Sequence, residues 1–431
     1  MNVRQAPLCD PLPLRTQPGI SSFLDLVDVG QARRLVEQGI RPVPVDWIAL
    51  SQARGRVLGS PIHADADIVP FARSAMDGYA VRALDVASAC GNVALLRVGG
   101  DVYAQRGTHG HLAGTATAVA TGAPLPCGAD AVVPIEAVDR QGDYISITRT
   151  VTTGDHIFPP GEDAKKGQLL IAAGQRLHAG SLALLASAGI HRLPVFRRVR
   201  VAIVCTGDEL VPIETAPAPG QIRNSNGLML STLVEECCGD VVQCDVVPDV
   251  PTQVTAALRN AFGNADIVIT SGGASSGPRD FVKASLESLG TEFLFRSVAM
   301  RPGRPMAFGT RHGTIVAVLP GNPAAAFVGF VELVRPALLR LAGLLQTRLA
   351  CVAAEIREGK AKGKIDRSTF LFASVAFDAT KTNPVLTLLA NQCSSLTRTA
   401  AAANSLVVLP STSQTYGCGD VVQADILPWA I

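Results

Sequence analysis

The chain has 431 residues, nearly half of them apolar, with few aromatics and a formal net charge of +2. That length predicts two to four domains with ample core, and the glycine-rich, aromatic-poor composition suits α/β and β-rich parts. A near-neutral chain without a polybasic block argues against nucleic acid as a partner. No apolar run is long enough to span a bilayer, because Thr314 to Val334 is broken by Pro320-Gly321-Asn322-Pro323.

Residues 1–20 carry Pro7, Pro11, Pro13 and Pro18 with little periodicity, which predicts a disordered arm. No charged region followed by an apolar core and cleavage site opens the chain, so the expectation is an unexported, cytoplasmic protein with reduced thiols. Leu24, Val27, Ala32, Leu35 and Val36 predict a first helix, and Val43 to Val57 a strand and a short helix. From Ile68 to about Thr150 short strands and turns predict a small β domain. In it Asp77-Gly78 reads as a turn and Thr121-Gly122-Ala123-Pro124 closes a strand. Asp163 lies on a Pro-Pro-Gly turn. A following strand, Gly-turn and helix run to Ile190 and return to residues 20–60. The expected divisions are 21–60 with 151–193, 61–150, 194–343 and 344–431.

Pro194 to Arg200 reads as a basic linker. Strands at Val199–Cys205, Val241–Val247, Asp266–Thr270, Phe293–Val298 and Thr314–Leu319 alternate with helices. The helices run from an Asn224 cap through Cys238, over Thr252–Phe262 and Pro278–Leu289, and over Pro323–Ala342. That alternation predicts a doubly wound, largely parallel sheet. A last β-rich segment includes strands at Cys351–Ile356, Phe370–Ala376, Val385–Leu389 and Ser405–Leu409. The ten cysteines form no Cys-x-x-Cys pair, and His109 and His111 read as a solvated segment rather than a ligand pair.

In an open α/β sheet, ligands bind beyond the carboxyl ends of the strands. At that rim the sequence sets Thr206-Gly207-Asp208-Glu209, then Asp249, then Ser271-Gly272-Gly273 with Asp280 beyond it. Arg301-Pro302-Gly303-Arg304-Pro305 and Pro320-Gly321-Asn322-Pro323 follow. Glycine turns before a helix let an anion approach backbone N–H groups. Carboxylates beside phosphate-holding turns suit Mg²⁺, and arginines suit an oxyanion. The competing reading is that the aspartates cap helices and the arginines are solvated.

The ordered set SAMDGYAV, TGAP, PGED, TGDEL, SGGxSxG, PGxP and PGNP resembles the molybdopterin molybdenumtransferase family, the MoeA and gephyrin E-domain group. The resemblance runs from about residue 20 to the C-terminus. It implies a discontinuous N-terminal α/β domain, an inserted small β domain, a molybdopterin-binding type α/β domain and a C-terminal β-barrel-like domain, in a homodimer. It also implies insertion of molybdate into adenylylated molybdopterin with Mg²⁺, releasing AMP and molybdenum cofactor. Transient contacts with the pterin-adenylylating protein and recipient molybdoenzymes would follow.

Carried onto this chain, the acidic positions are Asp77, Asp163, Asp208, Glu209, Asp249 and Asp280, with Glu209, Asp249 and Asp280 holding Mg²⁺. Thr121, Thr206, Gly207, Asp208, Ser271, Gly272, Gly273, Gly321, Asn322 and Pro323 would bind the pterin substrate. Arg301, Arg304, Arg367 and Ser394 would hold the oxyanion. The chain departs from the family at Arg301 and Arg304, usually lysines, at Pro278, usually acidic, and at Ala324 or Ala325, usually serine. Those departures motivate the alternative of a cofactor-binding paralogue that lacks insertion activity.

Overall fold

The computed structural model describes residues 24–88, 93–102, 112–274, 281–378, 380, 383–395 and 397–429. The expected arm before residue 21, His109, His111, Pro278 and Asp280 lie outside the described residues. The chain divides into one unit of residues 45–195 and a second made of the segments through 44 and from 196 onward.

In the 45–195 unit, Val45–Ala49 pairs with Arg192–Phe196, and Ile62–His63 with Leu169–Ile171. Pro194 therefore stands inside a strand; the expected linker shrinks to Arg197-Arg198 before the next strand begins at Val199. Between these pairs lies a six-stranded sheet containing Gly78–Val81, Thr115–Val119 and Ala131–Pro134. Asp77-Gly78 is not a left-handed turn. Gly78 starts a strand so close to its neighbour that a Cβ would stand 2.1 Å from the Val133 carbonyl oxygen.

The other unit is built on a six-stranded sheet, in the order Gly239–Val247, Val199–Thr206, Ile267–Ser271, Thr314–Leu319, Ala307–Arg311, Glu292–Phe295. The first four strands pair in parallel; Ala307–Arg311 runs against them, and Glu292–Phe295 pairs antiparallel to it at the edge. Alternate residues divide between two cores, as the strand period requires. Ile203, Ile269 and Ala317 face the helices Ser225–Glu236 and Pro323–Gly329, while Val204, Val268 and Val316 face Pro251–Asn264 and Phe281–Ser288. Arg197 ties the start of the sheet together, donating to both Asp266 carboxylate oxygens at 2.7 Å.

Ala307–Arg311 is a strand that the sequence reading left unassigned; a Cβ on Gly309 would lie 2.6 Å from the Glu292 carbonyl oxygen, so the glycine serves close strand approach. It turns into Thr314–Leu319 through His312-Gly313, both at positive φ, the turn a two-residue hairpin prefers. Cys237 and Cys238 lie past the helix, which ends at Glu236; Cys238 is left-handed, at φ 66°.

The run from Pro323 to Leu341 is helical throughout but changes pitch, with a π turn at Phe330–Val334. Pro336 has no N–H to offer the Glu332 carbonyl four residues back, and a widened turn accommodates that missing bond. Glu332 is buried there beside Arg33 of the Val29–Glu37 helix. Beyond it, Ser368–Ala376, Val385–Leu388, Cys351–Glu358, Val421–Ile426 and Ser405–Leu409 pair in that order, and the last returns to the first. The expected barrel is a closed ring of five strands. Among the described residues no helix is long and apolar enough to cross a membrane.

Burial pushes the Glu332 carboxyl above its ordinary value, against the opposing charge of Arg33. A raised folded value means the folded state holds the proton more tightly than the unfolded one. The stabilisation this gives is complete below the ordinary value of 4.5 and is lost as pH rises through the raised one. Glu332→Gln, which cannot titrate, is therefore expected to lose less stability than wild type as pH rises from 4.5 through the raised value. Denaturant unfolding across that range checks it; parallel curves would show that Glu332 does not contribute.

Candidate functional site

Strand register sets the site. Cys205 stands opposite Ser271, Ser271 opposite Leu319, and Thr206 opposite Val247. Four parallel strands thus stop at one level, and their turns open on a single cleft of about 910 Å³. Thr206, Gly207, Glu209, Asp249, Ser271, Gly272, Gly273, Gly321, Asn322 and Pro323 all line it.

The glycines have steric reasons. Gly272 is left-handed, at φ 97°, and a Cβ there would stand 2.4 Å from the Thr206 carbonyl oxygen. Gly273 is also left-handed, at φ 64°. At Gly207 a Cβ would meet the Glu209 carboxylate at 2.6 Å, so that carboxylate folds back over its own turn. Asp208 does not line the cleft; its Oδ1 accepts from the Asp249 N–H at 3.0 Å and fixes the neighbouring loop.

The sequence reading found the helix cap at this edge but missed the residue that joins these turns. Asn224 caps the Ser225–Glu236 helix, accepting from the Gly227 N–H at 3.0 Å. Two residues on, Asn226 donates to Ser271 Oγ at 2.8 Å and to the Gly321 carbonyl at 2.7 Å, spanning both glycine turns. Nothing in the pattern RNSN distinguishes its second asparagine; only the helix's placement against the strand ends does. Below them, burial pushes the Cys205 thiol up to about 12, which keeps it an inert part of the floor.

Ser394 meets the Pro-Gly-Asn-Pro turn directly. Its Oγ accepts from Asn322 Nδ2 at 3.3 Å, and its carbonyl accepts from the Ala324 N–H at 3.0 Å. The next residue, Ser395, lines the cleft. The three arginines do not. Met300–Arg301 adds to the barrel strand at Ser368-Thr369, with Arg301 opposite Thr369, two residues along the chain from Arg367. Arg367 is bonded through two nitrogens to Asp366, and Arg304 adds its charge there; together they hold the exposed Asp366 carboxyl below its ordinary range.

In the 45–195 unit, the Thr121 N–H and hydroxyl both donate to Asp77 Oδ1, at 2.7 and 2.9 Å, and depress that carboxyl. Asp163 is exposed on its turn. Among the described residues no group of three or more His, Cys, Asp or Glu is placed to hold a metal. Glu209 and Asp249 still share the cleft, and Mg²⁺ is met by one or two carboxylates when phosphate oxygens complete its shell.

Residues 27–189 match the model of the MoeA N-terminal region (domain I and II), and residues 202–340 that of a probable molybdopterin binding domain. Molybdopterin molybdenumtransferase of Bacillus subtilis is 34% identical over 420 residues, covering 94% of this chain and 97% of that protein. Molybdopterin molybdenumtransferase 2 of Mycobacterium tuberculosis is 39% identical over 325 residues, covering 73% and 80%. The crystal structure of a molybdopterin biosynthesis moeA protein from Pyrococcus horikoshii superposes with a TM-score of 0.80 at 30% identity, covering 93% of this chain and all of that one. With motifs, strand order and near full-length identity in agreement, this chain belongs to the molybdopterin molybdenumtransferase family, and its role is that of a transferase in molybdenum cofactor biosynthesis.

Proposed function

We propose that this chain inserts molybdenum from molybdate into adenylylated molybdopterin in the presence of Mg²⁺, releasing AMP and molybdenum cofactor. The observation that carries the reading is the cleft, where two glycine turns and two carboxylates meet at the carboxyl ends of four parallel strands. Ser271-Gly272-Gly273 and Gly321-Asn322-Pro323 would seat phosphate against backbone N–H groups. Glu209 and Asp249 would hold Mg²⁺, which supplies charge neutralisation at the phosphoanhydride when bound. The protein's own part is positioning and fixed dipoles, with Asp208 and Asn226 holding the loops in place.

Glu209→Ala is expected to leave the fold intact, because the residue is exposed, and to lower AMP release by about a hundredfold or more. Release of AMP from adenylylated molybdopterin and molybdate at limiting Mg²⁺ checks it. A wild-type rate in this variant would remove Glu209 from the mechanism.

The oxyanion would be held by Arg301, Arg304, Arg367 and Ser394. Support comes from the pairing of Arg301 with Thr369, two residues along the chain from Arg367, and from the contact of Ser394 with the Asn322 turn. Asp366 competes for Arg367 in the free protein, so an arriving anion would take over that guanidinium. Replacing Arg301 and Arg304 together by alanine is expected to weaken molybdate binding about tenfold or more. Both residues are exposed, so the melting temperature should be nearly unchanged. Calorimetry with unaltered molybdate affinity would move the oxyanion elsewhere. A cofactor-binding paralogue would bind molybdopterin normally yet release no AMP.

The reading includes a homodimer in which Asp77, Asp163 and Thr121 act with the cleft residues. Mixing Asp77→Ala chains with Glu209→Ala chains should then restore part of the activity. No recovery despite confirmed subunit exchange would count against shared sites.

A further inference from the structure

Two buried polar atoms of this cleft have no hydrogen-bond partner among the described residues: Thr206 Oγ1 and Asn226 Oδ1. Both residues line the cleft, and both are more than nine-tenths buried, at 5% and 8% exposure. They arrive from different elements, the end of the Val199–Thr206 strand and the first turn of the Ser225–Glu236 helix. A buried polar atom left unmatched costs free energy, so each marks a place where a group is missing.

The orientation of the Asn226 amide is dictated by its neighbours. The Gly321 carbonyl only accepts, so the amide nitrogen must face it, and the same nitrogen reaches Ser271 Oγ. Both amide protons are then used. Oδ1 is left over as a pure acceptor beside the two turns. A phosphate or molybdate oxygen is also an acceptor and would be repelled there. The partner that fits is an O–H or N–H donor carried next to the group that the turns hold, and the donors of a nucleotide or pterin are uncharged.

We infer that Asn226 is a specificity-determining residue: its Oδ1 accepts a hydrogen bond from an uncharged hydroxyl or amino donor of the substrate, adjacent to the phosphate. This rests on the reading of the glycine turns as phosphate seats. Asn226 therefore has two separate jobs. Its nitrogen braces Ser271 against Gly321, and its oxygen selects the ligand. Two parts of an adenylylated pterin carry such donors, the ribose hydroxyls and the amino group of the pterin.

The test is a cycle between residue and ligand, by calorimetry on the full chain. AMP is compared with 2′-deoxy-AMP and 3′-deoxy-AMP, and a pterin monophosphate with its 2-desamino analogue, in wild type and in Asn226→Ala. In one of the two arms wild type should lose about tenfold in affinity when the donor is removed. Asn226→Ala should bind the two members of that pair equally, whatever its absolute affinity. The brace alone cannot produce that pattern, because it never touches the donor. Asn226→Asp keeps an acceptor and loses the brace, so it should bind more weakly yet still discriminate; it also serves if the alanine variant does not fold. A wild type indifferent to every donor, an alanine variant that discriminates as well as wild type, or an aspartate variant that does not discriminate overturns the assignment of Asn226 alone. A wild type that takes up neither AMP nor the pterin monophosphate overturns the phosphate seats as well.

Discussion

The structure of the site depends on one constraint, the register of four parallel strands. Parallel pairing runs every strand of the set in one direction, so every strand-to-helix turn of that set emerges at the same edge. Because Thr206, Val247, Ser271 and Leu319 end at one level, residues more than a hundred positions apart become neighbours. Arg197 and Asp266 fix the opposite, amino edge through a bidentate bond, and Asp266 also accepts from the Arg200 N–H at 2.8 Å. A one-residue slip of any strand would send its side chains to the opposite core, so that Ile203 and Val204 would change sides and the packing of both layers would be lost. The core residues therefore hold the site's geometry without touching a ligand.

Much of this was legible in the sequence because it is local. Apolar runs ending in Thr-Gly-Asp-Glu, Ser-Gly-Gly and Pro-Gly-Asn-Pro announce strands followed by turns, and those turns line the cleft. What escaped was set by distant partners. The strand around Gly309 went unassigned, since its glycine has a purpose only with the carbonyl of Glu292 beside it, and Gly78 looks like a turn until Val133 is. Asn226 has no pattern at all, since its importance comes from two turns 45 and 95 residues away. Arg367 escaped for a different reason: its partner Asp366 is adjacent in the chain, but that the two side chains turn toward each other is a matter of rotamers, not of pattern.

The cleft leaves its Glu209 carboxylate exposed and encloses three neutral polar residues at the strand ends and the helix start. Glu209 stands in solvent, whereas Thr206, Ser271 and Asn226 are enclosed. This division follows the cost of burial, which is steep for a charge without a partner and modest for a hydroxyl or amide that is mostly bonded. It also divides labour. Solvated charges attract and exchange ions, while the enclosed amide and hydroxyls read shape and donor pattern, which water would otherwise blur.

The π turn at Phe330–Val334 bears on how this region tolerates change in length. A π turn is in effect one residue added to an α-helix. Removing a single residue there would give a regular helix and rotate everything after it by about 100°. Ala337, Leu338 and Leu341, all buried, would then swing off the core, so a deletion that repairs the backbone ruins the packing. Pro336 guards the same frame from the other side, because a regular helix would drive its ring against the Glu332 carbonyl. This helix is thus locked to its irregular length, and variation in chain length is expected to collect in surface loops, as between Gly343 and Leu349, instead.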